Sequence, residues 1–148
     1  MKTNSERGAG DSELVYCSKG TVGRVFGGKA EIVREVRGAE LVGWHYSGPF
    51  DELTAQHGVE HRVIPWDAVA EDEGTGIVHI APGCGAEDFD LGQQHDLAVL
   101  APLDDAGYYI AGYDQLMGRH APEVAPFVFD SLRGKGRLIR TETFEHRY

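Results

Sequence analysis

Apolar positions along this chain fall in short runs separated by turn residues, not in long helical stripes. Residues 14–17, 21–26, 30–36, 61–65 and 76–80 are rich in β-branched, aromatic or aliphatic side chains and are bounded by Gly, Pro, Ser or charged clusters, the pattern of short strands. Two stretches carry helical signals instead. Residues 86–95 open after the break at Pro82-Gly83-Cys84-Gly85. Residues 121–135 place Val124, Phe127, Val128 and Leu132 on one face, with Pro122 near the first turn and Gly134 and Gly136 at the end. Residues 137–144 read as a last strand, and no internal repeat is evident. The periodicity therefore predicts a β-rich α+β domain with two peripheral helices, its strand spacing suited to a barrel or folded-over sheet. Residues 1–12, polar and glycine-containing, are expected to be a disordered lead or expression remnant, and residues 13–148 a single domain.

With 148 residues, 41% hydrophobic and 26% charged, the chain suits one globular domain able to bury a core. No apolar run approaches the roughly 20 residues of a membrane helix, and the polar start lacks a signal-peptide core, so no membrane partner is expected and the cytoplasm is the default location. Cys17 and Cys84 stand far apart, which argues for reduced thiols and against a disulfide framework or zinc knuckle. A formal net charge of −10 opposes free binding to a polyanion. The local exception is the cluster Arg133, Lys135, Arg137 and Arg140, readable as a solvated face or as a nucleic-acid contact. Trp44, Tyr46, Phe50 and Trp66 read as core or rim aromatics.

The stretch Gly74-Thr75-Gly76-Ile77-Val78-His79-Ile80-Ala81-Pro82-Gly83-Cys84-Gly85-Ala86-Glu87-Asp88-Phe89 concentrates the chemistry. It joins a strand-like run ending near His79 to a helix start bearing Asp88 through a glycine-rich turn. Taken alone, His79 also fits a hydrogen-bonded core histidine, and Glu87, Asp88 and Asp90 fit favourable charges in a first helical turn, worth about 0.3–1 kcal/mol each. The start of the stretch imitates a Gly-x-Gly-x-x-Gly dinucleotide fingerprint, but an acidic loop precedes it and a β-type run follows, the reverse of the context that motif needs.

The same residues resemble the editing domain of isoleucyl-tRNA synthetase, in which a Gly-Thr-Gly-Ile-Val-His strand, an Ala-Pro turn and a Gly-x-Glu-Asp segment occur in this order. Residues 99–107, ending in Asp104-Asp105-Ala106-Gly107, and residues 142–148 are similar to later segments of that family. The resemblance implies a twisted β-barrel with helices on its flank. It implies hydrolysis of mischarged Val-tRNA(Ile), with Asp88 holding the substrate α-ammonium and His79 sizing its side chain or bordering the attacking water. Thr75, Gly76, Ala81 and Pro82 would shape the walls, and Gly83 and Gly85 would let backbone approach the ligand. No metal or other cofactor is implied for editing, since ATP, Mg and zinc belong to other parts of the synthetase. The implied partners are the 3′ end of tRNA(Ile) carrying valine and the rest of the synthetase.

The family's domains begin with a threonine-rich strand that has no counterpart here. The chain is thus expected to start downstream of it, with one pocket wall missing, hydrolysis impaired and an open sheet edge inviting self-association. Alternative readings are a freestanding trans-editing deacylase, a noncatalytic tRNA- or protein-binding module of the same fold, and a metal hydrolase using His45, His57, His61 and Cys84. The last lacks any recognised ligand spacing.

Overall fold

The computed structural model describes residues 2–3 and 13–141. The chain divides into two compact units, one comprising Met1–Gly43 and Val63–His79, the other Trp44–Arg62 and Ile80–Tyr148.

The first unit holds three two-residue strands, β1 (Lys2–Thr3), β2 (Glu13–Leu14) and β3 (Ala30–Glu31), in the antiparallel order β2-β1-β3. Lys2 lies opposite Leu14 on one side and Glu31 on the other. A 3-10 turn, Lys19–Thr21, leads into helix α1 (Val22–Phe26). This helix occupies a run whose composition suggested a strand. Spacing decided against composition: Val22, Val25 and Phe26 fall at i, i+3 and i+4 and are half-buried, while Gly23 and Arg24 face solvent. Gly27 ends the helix in the left-handed conformation, φ 57°, its N–H donating to the Gly23 carbonyl at 2.9 Å.

The second unit contains α2 (Ala86–His95), with the bounds its turn signals indicated, and α3 (Ala125–Gly134), preceded by the 3-10 turn Ala121–Glu123. Leu53, Tyr113, Leu116 and Val124 form its buried cluster, with Phe50, Ala55, Tyr109, Phe127 and Val128 packed around them. Residues 103–120 fold back on themselves twice, bridged at Leu103–Tyr109 and Tyr108–His120. The first turn is closed by Asp104, whose Oδ1 accepts the N–H groups of Ala106 and Tyr108 at 3.0 and 2.9 Å.

The β-rich α+β expectation, and the barrel with it, is overturned. The described residues form three α-helices, five 3-10 turns and three strands of two residues each. A β-branched run becomes a strand only when a neighbour completes its hydrogen-bond ladder. Residues 61–65 meet a single bridge, Arg62 to His45, and residues 76–80 have none. Ile32, Val33, Ile77 and Val78 stay 42–49% exposed, so burial does not fix their register. Residues 137–141 are not a strand, and residues 142–144 of that expected strand lie outside the described residues.

Candidate functional site

In the second unit the chain turns sharply between residue 81 and helix α2. Cys84 donates to the Ala81 carbonyl at 2.8 Å, and Phe89 to the Gly85 carbonyl at 2.9 Å as the helix begins. Asp88, half-buried in the first turn of α2, reaches back across this bend, and its Oδ2 accepts the Ala81 N–H at 2.9 Å. A carboxylate there complements the positive end of the helix while satisfying a backbone donor. Pro82 is buried against Gly92, where an added Cβ would come within 2.9 Å of the proline ring.

Gly83 is required by its neighbour. A Cβ at that position would lie 1.8 Å from the Leu100 carbonyl oxygen, so the backbone at residue 83 closely approaches this chain's own residues 100–101. Gly85 differs: it is extended, φ −145°, and its added Cβ would meet Asp88 only at ordinary contact, 3.6 Å.

Thr75, Gly76 and His79 lie in the first unit on an extended segment. Thr75 Oγ1 donates to the Ile77 carbonyl at 3.0 Å, and the Thr75 carbonyl accepts the Ser18 N–H at 2.7 Å. Gly76 turns the chain with φ 70°, and His79 is exposed. The structure thus brings Ala81, Pro82, Gly83, Gly85 and Asp88 into one turn and Thr75, Gly76 and His79 into one segment of the other unit. Sequence reasoning missed Ser18 and Arg24, which hold that segment. They bind main-chain oxygens, a role that leaves no trace in residue pattern.

No protein-family model matches the chain. The chain is 42% identical over 139 residues to an isoleucine–tRNA ligase of Methanothermobacter marburgensis, an alignment that takes in 93% of this chain and 13% of the relative. Similar ligases of Pyrococcus abyssi and Nocardia farcinica are 40% and 38% identical, over 94% and 84% of this chain and 14% and 12% of their own lengths. The chain belongs to the isoleucine–tRNA ligase family. It spans about 13% of the length of such relatives and corresponds to one segment of them.

In this ligase segment much of the remaining polar surface is committed to the chain's own structure. Lys135 donates to the Pro49 carbonyl and to Glu52, and lies 4.4 Å from the Phe50 ring centroid. Arg133 pairs with Asp130. Two members of the basic cluster are therefore engaged within the second unit. The Lys135 hydrogen bond holds the Glu52 carboxyl below its ordinary range, and burial pushes the Tyr113 phenol above its own.

His45 pairs with Glu60 at 3.1 Å and His61 with Asp51 at 2.9 Å. Among the described residues no group of three or more His, Cys, Asp or Glu is placed to hold a metal ion. Nor is any helix among them long and apolar enough to cross a membrane. A cleft of about 290 Å³ in the second unit is lined by Gly58, Glu60, Arg62, Asp96, Leu97 and Ala98. Its Arg62 is tied to Glu60 at 3.1 Å and to the His95 carbonyl that ends α2.

Proposed function

We propose that this chain is the proofreading segment of an isoleucine–tRNA ligase, hydrolysing the ester that joins valine to tRNA(Ile). Isoleucine and valine differ by one methylene, which a hydrophobic pocket discriminates by only about 1–3 kcal/mol, this class of ligase being the standard example of the limit. A second, hydrolytic selection is the physical remedy.

The reading is carried by Asp88. Its carboxylate is half-buried at the start of α2 and anchored through Oδ2 to the Ala81 N–H at 2.9 Å. A carboxylate held in this way offers acceptors to the α-ammonium of an aminoacyl ester, through charge-assisted hydrogen bonds of about 2.7–2.9 Å. Fixing the substrate amine fixes its carbonyl for attack. Water adds to the carbonyl carbon, the bond to the ribose oxygen breaks, and a proton from the water ends on that oxygen. Valine and a free tRNA end result.

His79 is assigned first to sizing the side-chain space and bordering the water, although a neutral imidazole can also accept a proton. Thr75, Gly76, Ala81 and Pro82 are assigned to the walls. The net charge of −10 assigns most of the grip on tRNA to other parts of the ligase, which also carry the ATP-, Mg- and zinc-dependent chemistry. The cytoplasm is the compartment where such a ligase acts.

Single-turnover hydrolysis with the chain in excess over Val-tRNA(Ile) or Ile-tRNA(Ile) tests the assignment. Hydrolysis by the isolated chain is expected to be slow, with the valyl ester reacting at least about tenfold faster than the isoleucyl ester. Asp88→Asn, which keeps an acceptor for the Ala81 N–H and loses the charge, is expected to lower the rate by about a hundredfold. Equal rates for both esters, or a rate untouched by Asp88→Asn, would overturn it.

A further inference from the structure

Residues 71–76 lie outside the helices and strands, and their path is set by two residues from elsewhere in the first unit. The Ser18 hydroxyl donates to the Glu71 carbonyl and the Ser18 N–H to the Thr75 carbonyl at 2.7 Å. One terminal nitrogen of Arg24, Nη2, donates to the Asp72 carbonyl at 2.8 Å and to the Gly74 carbonyl at 3.0 Å. Four of five consecutive main-chain oxygens are thereby held. The Gly76 N–H closes the turn on the Glu73 carbonyl at 2.9 Å. Ser18 is itself pinned, since its carbonyl accepts the Thr21 hydroxyl at 3.0 Å and the Thr21 N–H at 3.2 Å. Thr21 is 1% exposed. Gly76 approaches so closely that an added Cβ would stand 2.4 Å from the Ser18 Cβ.

Beyond this anchored base the chain runs through Ile77 and Val78, each 49% exposed, to His79. Neither ladder bonds nor burial define the course of those residues, so their direction is inherited from the base. A guanidinium is well matched to such a base, being permanently charged, planar and rich in donors, and it faces a turn carrying Glu71, Asp72 and Glu73. A neutral side chain would leave the local negative charge unanswered.

We infer that Ser18 and Arg24 form a clamp on the acidic 71–74 turn that aims the 75–79 segment, making Arg24 a positioning residue for ester hydrolysis. The inference rests on the deacylase reading for its catalytic consequence and on geometry alone for the clamp. Positioning acts on the chemical step more than on ground-state binding, so loss of the clamp lowers kcat with KM nearly unchanged.

Hydrogen exchange and hydrolysis are to be measured on the wild-type chain, Arg24→Ala and Arg24→Lys. Arg24→Ala is expected to speed exchange of the Gly76 and Ser18 amides, which close on the Glu73 and Thr75 carbonyls, by about tenfold and to leave residues 103–120 unchanged. It is expected to lower kcat toward Val-tRNA(Ile) by about tenfold with KM within about twofold, and Arg24→Lys to recover part of both losses. A purely structural role would spread faster exchange over the whole first unit and would not split kcat from KM. Unchanged exchange in Arg24→Ala overturns the clamp, and faster exchange with an unaltered kcat overturns its role in the reaction. A wild-type chain inactive on both esters defeats the deacylase reading and, with it, the catalytic part of this inference, while the exchange arm still decides the clamp.

Discussion

The two units are held together by different physics. The second buries Leu53, Tyr113, Leu116 and Val124 against one another, each at 7% exposure or less. In the first, Thr21 is the buried side chain among the described residues, and contacts distant in sequence are polar: the short strand ladder, the Gly43 N–H on the Val63 carbonyl, the Lys19–Glu35 pair and the bonds from Ser18 and Arg24 to backbone carbonyls. Apolar burial is nondirectional and scales with area, at about 25 cal/mol per Å². Hydrogen bonds contribute about 0.5–1.5 kcal/mol each and demand geometry. The second unit is therefore built to be stable and the first to be specific in shape. Asp88 belongs to the stable unit, and His79 to the specific one.

The sharpest way to break this contrast is Leu116→Ala. Removing a side chain at 5% exposure from the apolar cluster leaves a cavity, and a loss of about 3 kcal/mol in urea unfolding is expected, read from probes in the second unit. A loss below about 0.5 kcal/mol would mean that the cluster is not the stabilising core. Thr21→Val is the counterpart in the first unit. It keeps the volume and removes the hydroxyl bonded to the Ser18 carbonyl, with an expected loss of about 1 kcal/mol and faster exchange around residues 71–76. An effect as large as that of Leu116→Ala would erase the distinction.

Smaller effects come from pH, and both act on the second unit. The Tyr113 phenol is raised by burial, so the folded protein keeps a proton that the unfolded chain releases. Its contribution is complete below about pH 10 and is lost as pH climbs through the folded value. Glu52 is lowered by its hydrogen bond to Lys135, so its contribution is complete above about pH 4.3 and is lost as pH falls through the folded value. The pair is exposed, hence the weakest of these effects and the most easily screened by salt. Unfolding midpoints that stay level through both windows would contradict the two assignments, and Lys135→Met should flatten only the acid side.

Much of the second unit was legible. The break at residues 82–85, acidic residues after it and the spacing of Val124, Phe127, Val128 and Leu132 are local signals, and the helices Ala86–His95 and Ala125–Gly134 stand where they pointed. Asp104 to Gly107 entered only through the family resemblance, although an aspartate closing on its own backbone is likewise a short-range event. The β-rich expectation holds at Ala30–Glu31 and misread residues 32–36, 61–65 and 76–80. Their composition suits strands, but a ladder needs a second segment brought alongside, and nothing within a run states whether one arrives. Residues 21–26 failed differently, because helical spacing outweighed β propensity within one short segment.

Sequence alone determined the family resemblance, the turn-and-helix frame around Asp88 and the acidic balance of the chain, since each depends on residues adjacent in the chain or on their sum. Tertiary structure decided which extended runs stay unpaired, that Gly83 packs on the Leu100 carbonyl, and that Ser18 and Arg24 grip the turn before His79. Those outcomes depend on residues distant in the chain meeting through main-chain atoms. Main-chain atoms are the same at every position, so no pattern of side chains could announce them.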